Sequence, residues 1–201
     1  NHQNLAGWHV SMTNHHGNTR EWRVLDGVLT ARQAPPGNGG VLLSDQRYKD
    51  FEVYLEIKPD WGCEGGLLLR SNEAGQAYRV TLGYREGNNV GDILGERLET
   101  VKRTPSSRWK RVWREQDWNT LQVRIVGNPP SITVWLNKTK ITEFQDIARH
   151  SVSGVEDGMI ALQLYSGSCW GDGKSVQRFR NISVKKLSQD GVAVRSLRAR
   201  D

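Results

Sequence analysis

The sequence contains few cysteines and no long apolar run. Cys63 and Cys169 are its two cysteines, so the chain can form at most one internal disulfide. They fit neither a Cys-x-x-Cys motif nor the Cys/His spacing of a structural zinc site. No stretch approaches the ~18 consecutive apolar residues that a membrane-spanning helix needs. We therefore expect no membrane span and no bound metal.

The signatures of several enzyme classes are also missing. The sequence has no Gly-x-Ser-x-Gly elbow, no phosphate-binding P-loop and no Rossmann fingerprint. Gly62, Gly65 and Gly66 predict a turn, but no helix follows that could hold a phosphate. No segment carries an apolar stripe of helical period over about ten residues. We therefore expect neither a nucleotide-binding enzyme nor a cofactor.

Short alternating strands fill the sequence instead. Residues 51–58 alternate without a fault, with Phe51, Val53, Leu55 and Ile57 on one face and polar residues on the other. Further strands are predicted at 21–25, 28–31, 66–70, 77–83, 118–126, 131–137, 140–143, 159–165 and 176–187, with a short helical turn at 144–148.

Many short strands without crossover helices favour an all-β fold, an antiparallel β-sandwich. The length of 201 residues suits one domain of this class. The strand pattern stops after Leu187, so we predict a sandwich domain over residues 1–187 and a polar C-terminal tail over 188–201.

The basic charge is concentrated in one segment. The chain has a net charge of +6, and residues 97–114 hold seven basic residues and one acidic residue, which accounts for the whole excess. Trp109 and Trp113 lie among these charges, four residues apart, so they would share a face on a short helix. Basic and aromatic residues together are also typical of single-stranded nucleic acid binding. Because the rest of the chain is neutral, we favour a surface loop, and nucleic acid is not the expected partner.

The polar faces of the strands suggest a carbohydrate site. The chain has eight tryptophans, and flat aromatic rings stack on sugars as well as filling cores. If the polar residues of several strands lined one curved sheet face, an acid, guanidiniums, an amide and rings would meet there. The residues of this predicted groove are Tyr54, Glu56, Arg70, Arg79, Trp135, Gln163 and Tyr165. Glu64, Asp92 and Glu96 fall in predicted loops and could add a second carboxylate of the kind that glycoside cleavage requires.

Two other features are less specific. His15, His16 and His150 lie in predicted loops, where a histidine is more often simply exposed than catalytic. Cys63 and Cys169 follow strands whose loops could meet at one end of the sandwich. We expect these two cysteines to pair in an oxidising compartment.

An ordered set of motifs resembles the 3-keto-disaccharide hydrolase domain family over about residues 4–187. The family's opening is matched by Asn4-Leu-Ala-Gly-Trp8, and its first hairpin by Trp22-x-Val-x-Asp-Gly-Val-Leu29. The other matches are Tyr48-x-Asp-Phe-Glu-Val-x-Leu-Glu56, Gly65-Gly-Leu-Leu-Leu-Arg70, Trp118-Asn-Thr120, Trp135-Leu-Asn137, Gly158-Met-Ile-Ala-Leu-Gln163 and Phe179-Arg-Asn-Ile182. The resemblance implies a concanavalin A-like jelly roll.

The resemblance also implies an activity. In this family the sugar is first oxidised at carbon 3, so that a base can remove the carbon-2 proton and the aglycone can leave. The reaction needs a base, a group that polarises the ketone and an acid. Carried over by position, Glu56, Arg70 and Gln163 are the implied catalytic residues. The implied substrate-binding residues are Tyr54, Arg79, Trp135, Tyr165, Glu96 and Asp92. Such proteins are typically exported, so a periplasmic or extracellular location is expected, with a signal peptide removed.

The sequence departs from the family pattern in one strand. Tyr78-Arg79-Val80-Thr81 stands where the family usually has Tyr-Glu-Val-Gln. The acid at position 79 is therefore an arginine. Two alternatives follow: a carboxylate from Glu96 or Asp92 replaces the acid, or the chain is a non-catalytic carbohydrate-binding module of a larger exported protein.

Overall fold

The computed structural model describes residues 3–84, 87, 89–147, 156–167 and 174–188. Strands dominate this part of the chain. They are β1 Trp8–Val10, β2 Trp22–Leu25, β3 Val28–Ala31, β4 Gly40–Tyr48, β5 Phe51–Ile57, β6 Gly65–Ser71, β7 Ala77–Thr81, β8 Ile93–Glu96, β9 Asn119–Val126, β10 Ser131–Leu136, β11 Thr139–Gln145, β12 Gly158–Leu164 and β13 Gln177–Lys186. The helix α1 spans Trp109–Val112.

The strands form two antiparallel sheets that pack face to face. The six-stranded sheet has the order β1-β4-β12-β6-β7-β8, and the seven-stranded sheet has the order β11-β10-β9-β5-β13-β3-β2. Among the described strands, six of the eleven neighbouring pairs join strands that are not consecutive in the chain, as in a jelly roll. The predicted all-β, concanavalin A-like sandwich is confirmed.

Strand alternation builds the core between the sheets. In β5 the apolar residues from Phe51 to Ile57 are buried while the residues between them are half-buried. They lie opposite Leu121, Val123 and Ile125 of β9. Truncating one such buried side chain to alanine typically costs ~2–5 kcal/mol.

Strands β6, β7 and β12 of the six-stranded sheet are buried on both faces. Leu42 of β4 belongs to the main core. A second apolar cluster lies on the outer face of the sheet and consists of Val41, Leu43, Leu68, Ala77, Met159 and Ala161. A strand covered on both sides reads as a continuous apolar run without alternation. The nine-residue β4 combines such a run, Val41-Leu42-Leu43, with a polar second half, so neither alternation nor a long apolar run marks it in the sequence.

The next features are the predicted helical turn at 144–148 and the two tryptophans of the basic segment. The predicted helical turn at 144–148 is wrong at its start, because Phe144 and Gln145 belong to β11. The basic segment contains the short helix α1, which brings Trp109 and Trp113 together with ring centroids 6.4 Å apart. Trp109 is buried and its Nε1 donates to Asn89 Oδ1 at 3.1 Å, so it packs the basic segment onto the sandwich.

No helix in the described ranges is long and apolar enough to cross a membrane. Strand β13 ends at Lys186, and residues 189–201 of the expected tail lie outside the described residues. His150 and Cys169 also lie outside them. The thiol of Cys63 is buried, and this burial raises its pKa to about 12. The Cys63–Cys169 pairing therefore stays a prediction.

Candidate functional site

The predicted groove residues are divided between the two sheets. Tyr54 and Glu56 lie on β5 and Trp135 on β10, both in the seven-stranded sheet. Arg79 lies on β7 and Gln163 on β12, both in the six-stranded sheet. The expectation of one shared face is therefore wrong. Alternation tells whether a side chain faces the core, but it does not tell which sheet the strand joins.

A polar group of side chains gathers on the outer face of the six-stranded sheet. Tyr78 and Val80 point into the core, so Arg79 between them points outward. Gln163 is placed in the same way between Leu162 and Leu164.

Gly66 of β6 separates the strands that carry Arg79 and Gln163, and it leaves room for both side chains. It pairs with Gln163 on one side and with Thr81 on the other. A Cβ at Gly66 would lie 2.8 Å from Arg79 Cγ and 2.9 Å from Gln163 Oε1.

Glu96, at the end of β8, is the centre of this group. Its Oε2 accepts a hydrogen bond from Arg79 Nη1 at 3.0 Å. Its Oε1 lies 3.1 Å from His15 Nε2 and 3.0 Å from His16 Nε2. Burial alone would raise the pKa of Glu96, but the hydrogen bond with His16 and the positive charge of Arg79 outweigh it and lower the pKa to about 2. The carboxylate is therefore ionised at neutral pH.

The two histidines come from the loop that follows β1. Asn14 shapes this loop: its Nδ2 donates to Ser11 O at 3.1 Å and to Gly17 O at 3.0 Å, and its Oδ1 accepts from His16 N at 2.8 Å. The side chain of His16 is 2% exposed and that of His15 is 40% exposed. Burial, and then the neighbouring His16, lower the pKa of His15, so its imidazole is neutral at pH 7.

Gln163 and Tyr165 complete the site. Gln163 Nε2 lies 2.7 Å from His16 Nε2. The Tyr165 ring lies 5.0 Å from the His16 ring and 5.2 Å from the guanidinium carbon of Arg79. We call this group the Glu96 cluster; it consists of His15, His16, Arg79, Glu96, Gln163 and Tyr165. Three potential metal ligands are among its members, because the donor atoms of His15, His16 and Glu96 all lie within 4.8 Å of one another.

Glu56 lies on the outer face of the seven-stranded sheet, where its carboxylate accepts hydrogen bonds from two side chains. Its Oε2 accepts from Arg180 Nε at 2.6 Å and its Oε1 from Asn181 Nδ2 at 3.0 Å. Burial alone would raise the pKa of Glu56, but these hydrogen bonds outweigh it and lower the pKa. The guanidinium of Arg180 stacks 4.1 Å from the Trp118 ring. One face of the Trp118 ring is therefore already covered by an arginine that also binds Glu56.

Trp135 and Tyr54 lie on the same sheet as Glu56. The Trp135 ring has the guanidinium of Arg124 at 6.0 Å, and the Tyr54 hydroxyl donates to Glu56 Oε1 at 3.3 Å. These two aromatic residues belong to a surface opposite the Glu96 cluster, across the thickness of the sandwich.

Arg70 ties segments of the fold together. Its Nε donates to Lys49 O at 2.7 Å, its Nη1 to Gly127 O at 2.9 Å and its Nη2 to Asp50 Oδ1 at 2.8 Å. The three donors are thus directed at neighbouring loops rather than at the Glu96 cluster, and these contacts are structural.

Asp92 anchors the basic segment. It is buried, and its Oδ1 accepts from Ser106 N at 2.7 Å while its Oδ2 accepts from Arg103 Nε at 2.7 Å. Asp92 directly precedes β8 and Glu96 is its last residue, but only Glu96 joins the cluster.

Sequence reasoning missed the histidines as members of a site. The available signal was the His15-His16 pair between Asn14 and Gly17, which are typical turn residues. A loop has no periodicity that predicts where its side chains point. The sequence therefore does not predict the contacts of His16 with Glu96 and Gln163, which lie 80 and 147 residues away in the chain.

Most of the chain matches a family model. Residues 1–185 match the 3-keto-alpha-glucoside-1,2-lyase-like domain. The chain belongs to this family. The resemblance that the sequence motifs predicted is confirmed. No curated protein matches the sequence of this 3-keto-alpha-glucoside-1,2-lyase-like domain.

Solved structures share the fold of the 3-keto-alpha-glucoside-1,2-lyase-like domain at low sequence identity. A candidate glycosyl hydrolase from Parabacteroides distasonis is 18% identical, with a TM-score of 0.63 over 94% of this chain and 92% of that one. The carbohydrate-binding module CBM66 from Bacillus subtilis is 14% identical, with a TM-score of 0.60 over 89% and 94%. A variant of the alginate lyase Aly36B in complex with an alginate trisaccharide is 14% identical, with a TM-score of 0.56 over 92% and 89%.

Proposed function

We propose that this chain acts on glycosides whose sugar carries a ketone at carbon 3, and that the reacting sugar binds at the Glu96 cluster. The family match supports the substrate class. One observation carries the location: the buried carboxylate of Glu96 holds a guanidinium and two imidazoles within 3.1 Å of its oxygens. Buried charge of this kind is a common mark of a functional site.

The chemistry of such a sugar makes two demands. The ketone acidifies the carbon-2 hydrogen, and the electrons released by its removal collect on the ketone oxygen. As the carbon-1 to oxygen bond breaks, a carbon-1 to carbon-2 double bond forms and the departing oxygen takes a proton. A site for this reaction therefore needs positive charge near the ketone and a proton acceptor near carbon 2.

The Glu96 cluster holds both kinds of group. Arg79 supplies the positive charge, and its buried Nε has no hydrogen-bond partner within the described part of the chain. The imidazoles beside Glu96 either take the proton or hold the group that takes it. The buried Glu96 carboxylate positions these groups, because it pairs with the Arg79 guanidinium and contacts both imidazoles.

Access to the cluster is from the side of His15 and Tyr165. These are its half-exposed members, whereas Arg79, Glu96, His16 and Gln163 are buried. An aromatic face beside a cation is suited to a sugar ring, which stacks through its C–H groups. We therefore expect the sugar to lie against Tyr165 with its ketone toward Arg79.

Release of 4-nitrophenol from 4-nitrophenyl 3-keto-glucoside tests this proposal. Wild-type protein should release the phenol, and Glu96→Gln should lower kcat/KM by at least about 100-fold. Glu56→Gln is the matched control, since it changes a carboxylate on the opposite sheet, and it should keep near-normal turnover. Loss of turnover in the Glu56 variant with retention in the Glu96 variant would move the site to the seven-stranded sheet.

Carbohydrate binding without cleavage is the second candidate function. It is favoured by Arg79, which stands where the family pattern has an acid and which pairs with Glu96. The likeness to a carbohydrate-binding module is consistent with it. In this case calorimetry should detect saturable binding of a glycan with no product formed. Tyr165→Ala should weaken that binding, and Trp135→Ala should not.

A further inference from the structure

We propose that the basic segment, residues 97–114, binds an anionic polysaccharide, a sugar chain that carries carboxylate or sulfate groups. The segment holds seven basic residues against one acidic residue, and the proposed reaction uses none of its cations. That the bound polymer is a glycan rests on the proposed function, because the segment begins beside the Glu96 cluster. The attraction of the segment for an anionic polymer does not depend on that function.

The charge of the segment is exposed and almost wholly unpaired. Arg103 is the exception, since its Nε donates to the buried Asp92 carboxylate at 2.7 Å. Within the described part of the chain, no carboxylate forms an ion pair with the other six cations, which are Arg97, Lys102, Arg108, Lys110, Arg111 and Arg114. All six side chains are exposed. Like charges held close together repel one another and destabilise the folded state, and an anionic ligand would relieve that repulsion.

The backbone beneath these charges is fixed to the sandwich. After β8 the chain turns and runs antiparallel to that strand, so that Thr104 N donates to Ile93 O at 2.7 Å and Ile93 N donates to Thr104 O at 3.0 Å. Further along, Ser107 N donates to Ile141 O of β11 at 2.7 Å. A backbone that is already ordered loses little conformational entropy when a ligand binds. The cations therefore form a preorganised surface.

This surface begins at the Glu96 cluster and follows the edge of the six-stranded sheet. Arg97 directly follows Glu96 in the chain. Burial and the neighbouring His16 lower the pKa of His15, and the positive charge of Arg97 adds to this effect, so Arg97 lies near the exposed side of the cluster. Because β8 is the last strand of its sheet, the segment beside it forms a rim. A sugar chain whose reacting unit occupies the cluster therefore has cations within reach of its next units.

The tryptophans of the segment argue against nucleic acid as the ligand. Single-stranded nucleic acid binds where exposed aromatic rings are available for base stacking. Trp109 is 7% exposed and its Nε1 donates to Asn89 Oδ1. The half-buried Trp113 ring has its centroid 4.9 Å from that of Tyr84. Both rings pack inward, so the surface that the segment presents to a ligand is charged rather than aromatic.

The exposed cations suit carboxylate and sulfate groups alike. Four of the six are arginines, namely Arg97, Arg108, Arg111 and Arg114. A planar guanidinium donates two parallel hydrogen bonds to a carboxylate or a similar oxyanion. A polysaccharide of uronic acids presents a carboxylate on each sugar, and a sulfated polysaccharide presents sulfate esters. Both polymers repeat their negative charge along a chain, so cations spread along a sheet edge bind them at several points.

Fluorescence anisotropy with fluorescein-labelled oligogalacturonate and fluorescein-labelled dextran sulfate tests the proposal. We expect saturable binding of at least one of these polymers and none of neutral dextran. The Kd should rise at least about 10-fold between about 50 mM and about 200 mM NaCl, because binding to several charges displaces counterions. Comparison of the two polymers distinguishes carboxylate from sulfate recognition.

Paired substitutions locate the binding surface. The segment variants are Arg97→Gln with Lys102→Gln, and Lys110→Gln with Arg111→Gln. Each pair should raise the Kd at least about 5-fold. The matched control is Lys185→Gln with Lys186→Gln, which removes the same charge from exposed positions of β13 in the seven-stranded sheet. The control should leave the Kd within about 2-fold of the wild-type value.

Three outcomes would overturn the proposal. They are the absence of saturable binding of either polymer below about 1 mM, an equal rise of the Kd in the control and in both segment variants, and tighter binding of a single-stranded oligodeoxythymidine than of both polysaccharides. Turnover of the neutral 4-nitrophenyl 3-keto-glucoside separates this inference from the proposed function. Polysaccharide binding by wild-type protein without that turnover would leave the anion-binding surface intact and count against the proposed reaction alone.

Discussion

Replacement of Glu96 by glutamine should destabilise the protein in a pH-dependent way. The carboxylate has a pKa of about 2 in the folded protein against 4.5 for an unperturbed glutamate. That difference corresponds to about 3 kcal/mol of folding free energy at neutral pH. Glutamine keeps the shape of the side chain but removes the charge, so Arg79 loses its buried partner.

The sign of the pH dependence follows from the lowered pKa. A carboxyl that is more acidic when folded stabilises the protein fully above pH 4.5, and the contribution is lost as the pH falls toward 2. The difference between wild type and Glu96→Gln should therefore be about 3 kcal/mol at pH 7 and shrink to about 1 kcal/mol at pH 3.

Urea unfolding followed by tryptophan fluorescence measures this difference, in EDTA and at pH 7, 4 and 3. Glu73→Gln is the control. Glu73 is also paired with a histidine, but its side chain is 47% exposed, so its removal should cost less than about 1 kcal/mol. A difference for Glu96→Gln below about 1 kcal/mol at pH 7, or one that stays constant with pH, would refute the ionised, charge-paired state of Glu96.

Gly66→Ala should lower the free energy of unfolding by ~1–3 kcal/mol and reduce turnover, because the new Cβ would displace the side chains of Arg79 and Gln163. The control is Gly83→Ala, whose Cβ would meet atoms no nearer than 3.4 Å and which should destabilise the protein less. Equal unfolding midpoints for the two variants would contradict the crowding at Gly66. Arg70→Met should lower the free energy of unfolding in urea by ~3–5 kcal/mol, because the Asp50 carboxylate, which is 9% exposed, loses its cation. Unchanged stability with lost turnover would instead indicate that Arg70 is catalytic. Unreduced, denatured protein should show no free thiol if Cys63 and Cys169 are bonded, and a count of two would exclude the bond.

Much of the fold follows from local patterns. The alternation at 51–58 places Phe51 and Ile57 in the core, as the structure has them. It also places Glu56 outside, half-buried. Period-two alternation is a property of each strand alone, so it needs no knowledge of the neighbours. Strand β4 shows no such alternation: its buried first five residues include the run Val41-Leu42-Leu43, and its last four are polar.

The candidate site is different, because it is built from contacts across the chain. The sequence alone identified Arg79, Glu96, Gln163 and Tyr165 as polar residues available for binding. It placed them with Glu56 and Trp135, which belong to the other sheet.

The amino-acid sequence by itself determined the family, the all-β sandwich and the inward or outward direction of most strand residues. Only the tertiary structure decided which outward residues meet. Sheet order depends on the pairing of strands such as β12 with β6, about 100 residues apart, and the direction of His15 and His16 depends on a loop held by Asn14. Those contacts are long-range or irregular, and neither kind leaves a period in the sequence.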